Sequence, residues 1–436
     1  GQKCPKIKLA ACKTLAISWP REATAKPASR GPNAAQKAKG PPCWRLDAQF
    51  PSVRPVSMSA QVSSKESTTI RHAEKRRNST CALADAIAKA ALDAWRSLDV
   101  RTSRQTVVAA IVLQHQEKCT CLSLGAGTKT PSRAAVVAGG DGALRDCHAE
   151  VLAVRAFRRY LYAALQSNGC DAFEKTAAGV RLRPGAALFL YCSSAPCGNS
   201  TIRRWAKTTR EVFRPELGND PPPERHAPFK ALTPAQVALL GKRRPDDDAA
   251  DEGVPPGCAP LDGDALRPHC CSDKVARWCA VGLEGALLSR VVEGAALAGI
   301  VVGRKYCFEH ARRAFCCRVP HLQRHPALMG TGLLLDEGVY VDNDGADFRD
   351  RRCYAWCRGD AQAEELDGSA GATTSGAPST LCRAAFLERY RALVRDAPAS
   401  YAEAKRAAAS EAFAAADRAL RFSAGAPFSE WLASNV

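Results

Sequence analysis

His148-Ala149-Glu150 opens an apolar-periodic run that continues to about Leu165, and Pro196-Cys197-Gly198 closes a later strand-like run. An imidazole and a thiolate are both ligands for a borderline-soft metal such as zinc. A carboxylate two residues after the His, on the first turn of a helix, adds a proton carrier beside a metal-held water. Zinc deaminases of nucleobases use that set when cysteine ligands follow a Pro-Cys step. A catalytic zinc keeps three protein ligands and one open position. The usual third ligand, a Cys three residues after the first, is missing because position 200 is Ser200. The candidates are Cys270 and Cys271, just before Ser272-Asp273-Lys274.

These residues need elements to carry them. Leu83, Ile87, Ala91 and Trp95 recur every four residues and predict an amphipathic helix over 82–97. Thr106–Leu113 and Cys119–Leu124 read as two strands of a hairpin around His115-Gln116-Glu117-Lys118. A helix from about His148 to Leu165 has Leu152, Phe157 (with Val154), Leu161 and Leu165 on its inner side. Ala187–Ser194 and Leu297–Gly303 read as buried strands, Lys274–Val292 as a long helix, and 380–394 and 399–421 as further helices. Residues 361–379, rich in Gly, Ser, Thr and Ala, read as a loop. Strands alternating with helices imply an α/β domain with helices on both faces of a sheet.

Composition bounds the rest. Apolar content of 46% and charged content of 24% are those of a soluble globular chain, and no apolar run reaches membrane-spanning length. Residues 1–79 hold 16 Lys/Arg against 4 Asp/Glu, so they carry +12 of the net charge of +18. That basic segment has little periodicity and reads as disordered: a transit peptide, an RNA-grasping arm, or an artefact of gene modelling. The expected compartment is accordingly the nucleus or cytoplasm, with organellar import through residues 1–79 as an alternative. The folded domain is expected over residues 80–436, interrupted by an insertion at about 206–268 that carries Pro221-Pro222-Pro223 and the acidic run Asp246-Asp247-Asp248. The 20 cysteines, in a chain this long without an apolar signal segment, read as reduced thiols, most of them core.

Taken jointly, the motifs resemble one family. His148-Ala149-Glu150-Val151, Ser193-Ser194-Ala195-Pro196-Cys197-Gly198 and Cys271-Ser272-Asp273-Lys274-Val275-Ala276-Arg277-Trp278 come in the order and rough spacing of the RNA adenosine deaminases. That family includes the adenosine deaminases acting on RNA and tRNA-specific adenosine deaminase 1. Gly127-Thr128-Lys129, Trp356 with Gly359-Asp360, Ser379-Thr380-Leu381 and Tyr401-Ala402-Glu403-Ala404-Lys405 extend the likeness over residues 80–436. The resemblance implies a cytidine-deaminase-like three-layer α/β sandwich with a mixed central sheet, extended by C-terminal helices. It also selects Cys271 over Cys270 as the third zinc ligand, beside His148 and Cys197, with Glu150 as the catalytic proton carrier. The implied reaction is hydrolytic. A metal-held water, its pKa drawn toward ~7, attacks C6 of adenine, Glu150 moves protons to N1 and the leaving amine, and inosine remains.

Further roles come with the resemblance. Thr128 and Lys129 match positions that contact the flipped nucleotide. Inositol hexakisphosphate, buried beneath the zinc site, would be held by Arg155, Lys274, Arg277, Arg383, Tyr401, Lys405 and Trp431. Two positions depart from that cage: Val154 stands where the family has the first Arg of a pair, and Asp417 falls near an expected Lys. Gly241-Lys242-Arg243-Arg244-Pro245 in the insertion matches a basic RNA-approaching stretch. No double-stranded-RNA-binding domain is visible, which favours tRNA as the partner, at the adenosine 3′ of the anticodon of alanine tRNA. Neither a membrane nor an obligate protein partner is expected. The rival readings are a deaminase of structured messenger RNA, a non-catalytic RNA-binding relative, and a structural zinc site. Cys316, Cys317, Cys353 and Cys357 are candidates for a separate structural metal site.

Overall fold

The computed structural model describes residues 82–200, 270–335 and 350–422, apart from positions 101, 103, 104, 168, 198, 199, 307, 318, 320, 321 and 323. The expected basic segment 1–79, the insertion at about 206–268 with Gly241–Pro245, and Trp431 lie outside the described residues. Helix α1 (residues 82–96) leads to β1 (Val108–His115), β2 (Lys118–Ala126), β3 (Thr128–Lys129), α2 (Arg133–Gly139), β4 (Cys147–His148) and α3 (Ala149–Gln166). There follow β5 (Phe173–Lys175), β6 (Val180–Leu182), β7 (Ala186–Ser194), α4 (Cys271–Val281), β8 (Val292–Glu293) and β9 (Leu297–Arg304). The described chain ends with α5 (Phe308–Arg312), β10 (Ala327–Gly330), β11 (Arg352–Cys357), β12 (Glu364–Asp367), β13 (Ala372–Thr373), α6 (Arg383–Leu393), α7 (Tyr401–Ala408) and α8 (Glu411–Phe422).

A mixed eight-stranded sheet forms the middle layer, in the order β10-β9-β7-β1-β2-β11-β12-β13. β7, β9 and β10 run parallel, whereas β1, β2, β11, β12 and β13 join antiparallel. The period-2 alternation of a strand sorts β1 between two cores. Ala109, Ile111 and Leu113 face one core with Leu152, Phe157 and Leu161 of α3. Val108, Ala110 and Val112 face the other with Ala84, Ile87, Ala91 and Trp95 of α1. The expected α/β three-layer sandwich with a mixed central sheet is what the chain forms. No helix among the described residues is long and apolar enough to cross a membrane.

α3 lies unusually close to the sheet because glycine lets it. A Cβ at Gly125 would stand 2.3 Å from the Ala149 carbonyl oxygen and 2.5 Å from the Ala153 nitrogen. The Ser123 hydroxyl, buried on the same strand, donates to the Ala153 carbonyl at 2.8 Å and ties helix to sheet. The start of α3 is thereby fixed against β2, and that start carries the chemistry.

Several expectations need correction. His148 is not in the first turn of α3. It is the N-cap, at φ −68° and ψ 146°, and closes the short strand β4. The long helix expected over Lys274–Val292 stops at Val281, because Gly282 takes φ +83° and ends it. Residues 361–379 are not a loop throughout: β12 and β13 pair within them at the sheet edge. Their Gly/Ser/Thr-rich composition concealed two strands too short for visible alternation. The helix expected over 399–421 is two helices, broken where the Ser410 hydroxyl accepts from the Phe413 N–H at 3.2 Å.

Gly125→Ala is expected to destabilise the domain by about 1–3 kcal/mol through overpacking against α3. Gly332→Ala, where a Cβ meets nothing within 4 Å, should be close to neutral. Urea unfolding of both variants checks the contrast.

Candidate active site

Three separate stretches of chain meet at the beginnings of α3 and α4. β3 pairs with β4, so Thr128 lies opposite His148 and Lys129 opposite Cys147. Gly127 permits this approach, since a Cβ there would meet the Cys147 carbonyl oxygen at 2.3 Å. Cys197 follows β7, and Cys271 is the first residue of α4. The ligand atoms of His148, Cys197 and Cys271 all lie within 4.8 Å of one another. Three ligands in a tetrahedral zinc sphere stand about 3.5–3.8 Å apart, so a small contraction would complete such a site. Among the described residues this is the one cluster of three His, Cys or acidic groups able to hold a metal.

Cys270 is turned the other way. Its thiol meets Asp273 Oδ2 at 2.9 Å and Ser272 Oγ at 3.1 Å, as part of the cap of α4. The Cys271 N–H instead points at Cys197 Sγ, at 3.3 Å, and the Ser272 N–H donates to the Cys197 carbonyl at 3.0 Å. Cys197 therefore sits at the N-terminus of α4. There the aligned peptide dipoles and unpaired N–H groups favour a thiolate.

Asp146 organises the His. Its Oδ1 accepts from the His148 N–H at 2.8 Å and lies 2.6 Å from His148 Nδ1, while Oδ2 pairs with the Lys274 ammonium. Burial alone would raise the Asp146 pKa. Lys274 and His148 more than offset it and hold the carboxyl well below the usual carboxylate range. Burial likewise pushes the His148 imidazole down, but Asp146 outweighs it and lifts it to about 9. With Nδ1 held by Asp146, Nε2 is the ring nitrogen left for a metal. Glu150, only 3% exposed, is pushed up to about 7 by burial and then by Cys197, with His148 partly offsetting. Such a carboxyl can both take and return a proton near neutral pH.

On the side of β3, Thr128 and Lys129 are half-buried, and Thr128 Oγ1 is buried without a hydrogen-bond partner. A second cavity lies behind α3. Its wall includes Arg158, Arg277, Glu284, Tyr401 and Lys405. Partial desolvation and then the neighbouring Arg277, Arg158 and Arg383 draw the Lys405 pKa down, although the residue itself is exposed. Arg145, Arg155 and Arg383 continue this crowd of mutually repelling cations toward Asp141 and Tyr401. Arg158 and Arg277 are half-buried and Lys405 is exposed, so this wall offers several cationic donors to a polyvalent anion.

Of the residues expected in a polyphosphate cage, Arg277, Tyr401 and Lys405 line this cavity. Arg155, Lys274 and Arg383 are not on its wall. Arg155 donates to the Leu381 carbonyl at 2.6 Å and lies 5.0 Å from the Phe386 ring centroid. Lys274 faces Asp146, and Arg383 lies 3.5 Å from Asp141 and 5.7 Å from the Tyr401 ring centroid. Asp417 pairs with Arg277 at 2.6 Å, neutralising part of one cage cation. Val154 is fully buried in the apolar core, and Arg158, one helical turn on, reaches the cavity instead. The separate structural metal site finds no such cluster among the described residues. Cys316, Cys353 and Cys357 are buried thiols outside any disulfide, and the Cys317 side chain lies outside the described ones.

Sequence reasoning assigned no role to Asp146, Arg158, Tyr162 or Glu284. The signal for Asp146 was present: two residues before His148 on an extended segment, it shares that residue's face. The Trp356, Asp360 and Thr380 motifs brace the fold. Asp360 and Thr380 receive the two ends of the Arg159 guanidinium, and Trp356 Nε1 donates to the Asp360 carbonyl at 3.1 Å.

A mixed sheet that delivers one His, two Cys and a buried Glu to two helix starts has the site plan of a nucleobase deaminase. The chain belongs to the adenosine-deaminase (editase) domain family, which it matches over residues 123–434. It is 28% identical over 318 residues to the double-stranded RNA-specific editase Adar of Drosophila melanogaster, covering 68% of this chain and 44% of that protein. With the double-stranded RNA-specific adenosine deaminase of Mus musculus it shares 28% identity over 332 residues, 69% of this chain and 27% of that protein. It is 25% identical over 344 residues to the tRNA-specific adenosine deaminase 1 of Mus musculus, covering 59% and 68% of the two chains. The chain thus spans less than half the length of the double-stranded-RNA relatives it matches.

Cys271→Ala is expected to abolish stoichiometric metal binding, measured by elemental analysis of the purified protein. Cys270→Ala should keep the metal and lose only the cap, about 1 kcal/mol in unfolding. Asp146→Asn should weaken metal affinity roughly 10–100-fold in chelator competition, because it releases the ring that presents Nε2.

Proposed function

We propose that this chain is a zinc-dependent hydrolytic deaminase converting adenosine to inosine in RNA. We further propose tRNA as its substrate, at the adenosine immediately 3′ of the anticodon of alanine tRNA. The observation that carries the reaction is the meeting of His148, Cys197 and Cys271 beside a buried Glu150 that is not part of their triangle. A purely structural zinc site has four protein ligands and no such neighbour.

Zinc, when bound, would supply a Lewis-acidic position that brings the pKa of a water toward ~7. The chain's own residues do the rest. Asp146 fixes the ring of His148, and the N-terminus of α4 stabilises the Cys197 thiolate. Glu150, with its carboxyl near 7, accepts a proton and returns it to N1 of the adenine and to the departing amine. Thr128 Oγ1 and Lys129, on β3 beside the strand of His148, receive the nucleotide's polar groups, and the Lys ammonium suits a phosphate. The target adenosine must leave its stack to reach this depth, which costs least in a loop. The cationic cavity behind α3 is proposed to hold an inositol polyphosphate, with inositol hexakisphosphate as the form the resemblance implies. Its support is the cationic wall of Arg158, Arg277 and Lys405.

Support for tRNA comes from coverage: the match to the mouse tRNA-specific enzyme spans 68% of that protein. A second reading, deamination of duplex RNA, draws on the 28% identity to the double-stranded-RNA enzymes over more than two thirds of this chain.

The test is to incubate the purified chain with total tRNA and with duplex RNA, then map inosine by reverse transcription. Inosine beside the alanine anticodon is the expected result. Glu150→Gln should cut it by at least about 10²–10⁴-fold while keeping one metal per chain. Inosine only in duplexes would transfer the assignment to the second reading. No inosine in either substrate from metal-loaded protein would overturn the enzyme.

A further inference from the structure

Three parallel strands end on the rim that carries Cys197. β7 runs out through Ser194 toward Cys197, β9 beside it ends at Arg304, and β10 ends at Gly330. Ser194 pairs with Arg304, and the Ala195 N–H donates to the Arg304 carbonyl at 2.9 Å. Three residues reach at most ~11 Å and paired strands lie about 4.8 Å apart, so the Arg304 and Cys197 Cα atoms are within roughly 16 Å. In α/β sheets this end of the parallel strands is where ligands sit.

The segment that follows β9 does more than turn the chain. Residues 304–313 hold Arg304, Lys305, Arg312 and Arg313 against one acid, Glu309. Lys305 is exposed at φ +62°, in the left-handed region that favours glycine. Phe308 is 47% exposed, the one aromatic among the large apolar side chains left in solvent by the described residues. Leu333 and Leu334, just past β10 on the same rim, are exposed as well. Tyr306 fastens the segment to β10. Its hydroxyl donates to the Leu328 carbonyl at 3.0 Å, and a Cβ at Gly330 would come within 2.5 Å of its ring. Lys305 and Phe308 thus project from either side of a fixed point. An exposed ring among cations matches the two parts of an unpaired nucleotide: the ring stacks on the base and a cation meets the phosphate. Four cations against one acid suit a polyanion better than the mixed charge of a protein surface. We propose that Phe308 and Lys305 form a subsite for the nucleotide next to the target adenosine. Phe308 stacks on its unpaired base, and Lys305, with Arg304, meets its phosphate. This rests on the reading of the chain as an RNA deaminase, and it names where the neighbouring nucleotide lies. A base held on Phe308 no longer stacks on the target, which lowers the cost of drawing the adenosine out.

The test pairs changes in the protein with changes in the RNA, using the full chain and whichever RNA it deaminates, alanine tRNA or duplex. Affinity is measured for the intact RNA and for RNAs made abasic on either side of the target. Phe308→Ala and one of the two abasic sites should each weaken binding about tenfold, and together no further. Phe308→Tyr, which keeps the ring, should bind as the wild type does. Lys305→Gly, which suits the backbone there, should lower the salt dependence by about one phosphate contact without loss of stability to urea. Losses that multiply, no loss in Phe308→Ala, or an unchanged salt dependence in Lys305→Gly would overturn the inference and leave the deaminase standing. A change of oligomeric state in Phe308→Ala would also overturn it, by making the rim a contact between copies. If the wild type neither binds nor deaminates RNA, the deaminase reading fails, and this inference with it.

Discussion

Asp146 carries a negative charge in the interior because three donors meet it: the backbone and ring of His148, and the ammonium of Lys274. An unpaired carboxylate at that depth would neutralise itself by taking up a proton. Held ionised, it does two things together. It chooses which ring nitrogen of His148 stays available, and it pins α4 to the start of α3 through Lys274. The geometry of the metal cluster and the seating of the two helices on each other therefore share one carboxylate.

Everything around that point is arranged to bring helix starts together. Gly125 and Gly127 strip away side chains where α3 and β4 press on the sheet, and Ser123 fastens α3 there. On the far face, α1 fills the second core, while α3 fills the first and carries His148 and Glu150 at its start. Behind α3, Arg158 of α3 and Arg277 of α4 meet Tyr401 and Lys405 of α7 in a cationic wall. Asp417 of α8 answers Arg277 of α4 within this wall, so an ion pair joins those two helices.

The sequence disclosed the residues with distinctive chemistry and missed those whose role depends on neighbours. His148, Glu150, Cys197 and Cys271 stood out because their types and order are rare in combination, and the structure brings them to one point. Strands buried on both faces, such as β1 and β7, showed as apolar runs, β7 to within a residue and β1 two residues early. β12 and β13 did not, because two to four residues of mixed composition carry no period. The end of α4 was missed because Gly282 lies inside an otherwise helical pattern, where a single glycine is ambiguous. The cage was legible only in part. Val154 looked like a lost cation, but a helix repeats its face every four residues, and Arg158 supplies the charge from the next turn.

Cys197 and Cys271 lie on either side of the chain segment that runs through the 200s, so a metal held between them would pin both of its ends. The entropy of closing a loop rises only logarithmically with its length, about 0.6 kcal/mol per doubling. Residues can be gained, lost or exchanged between those two thiols with little effect on the closure they must achieve. The cluster of one imidazole and two sulfurs would then fix the ends of that segment whatever its length.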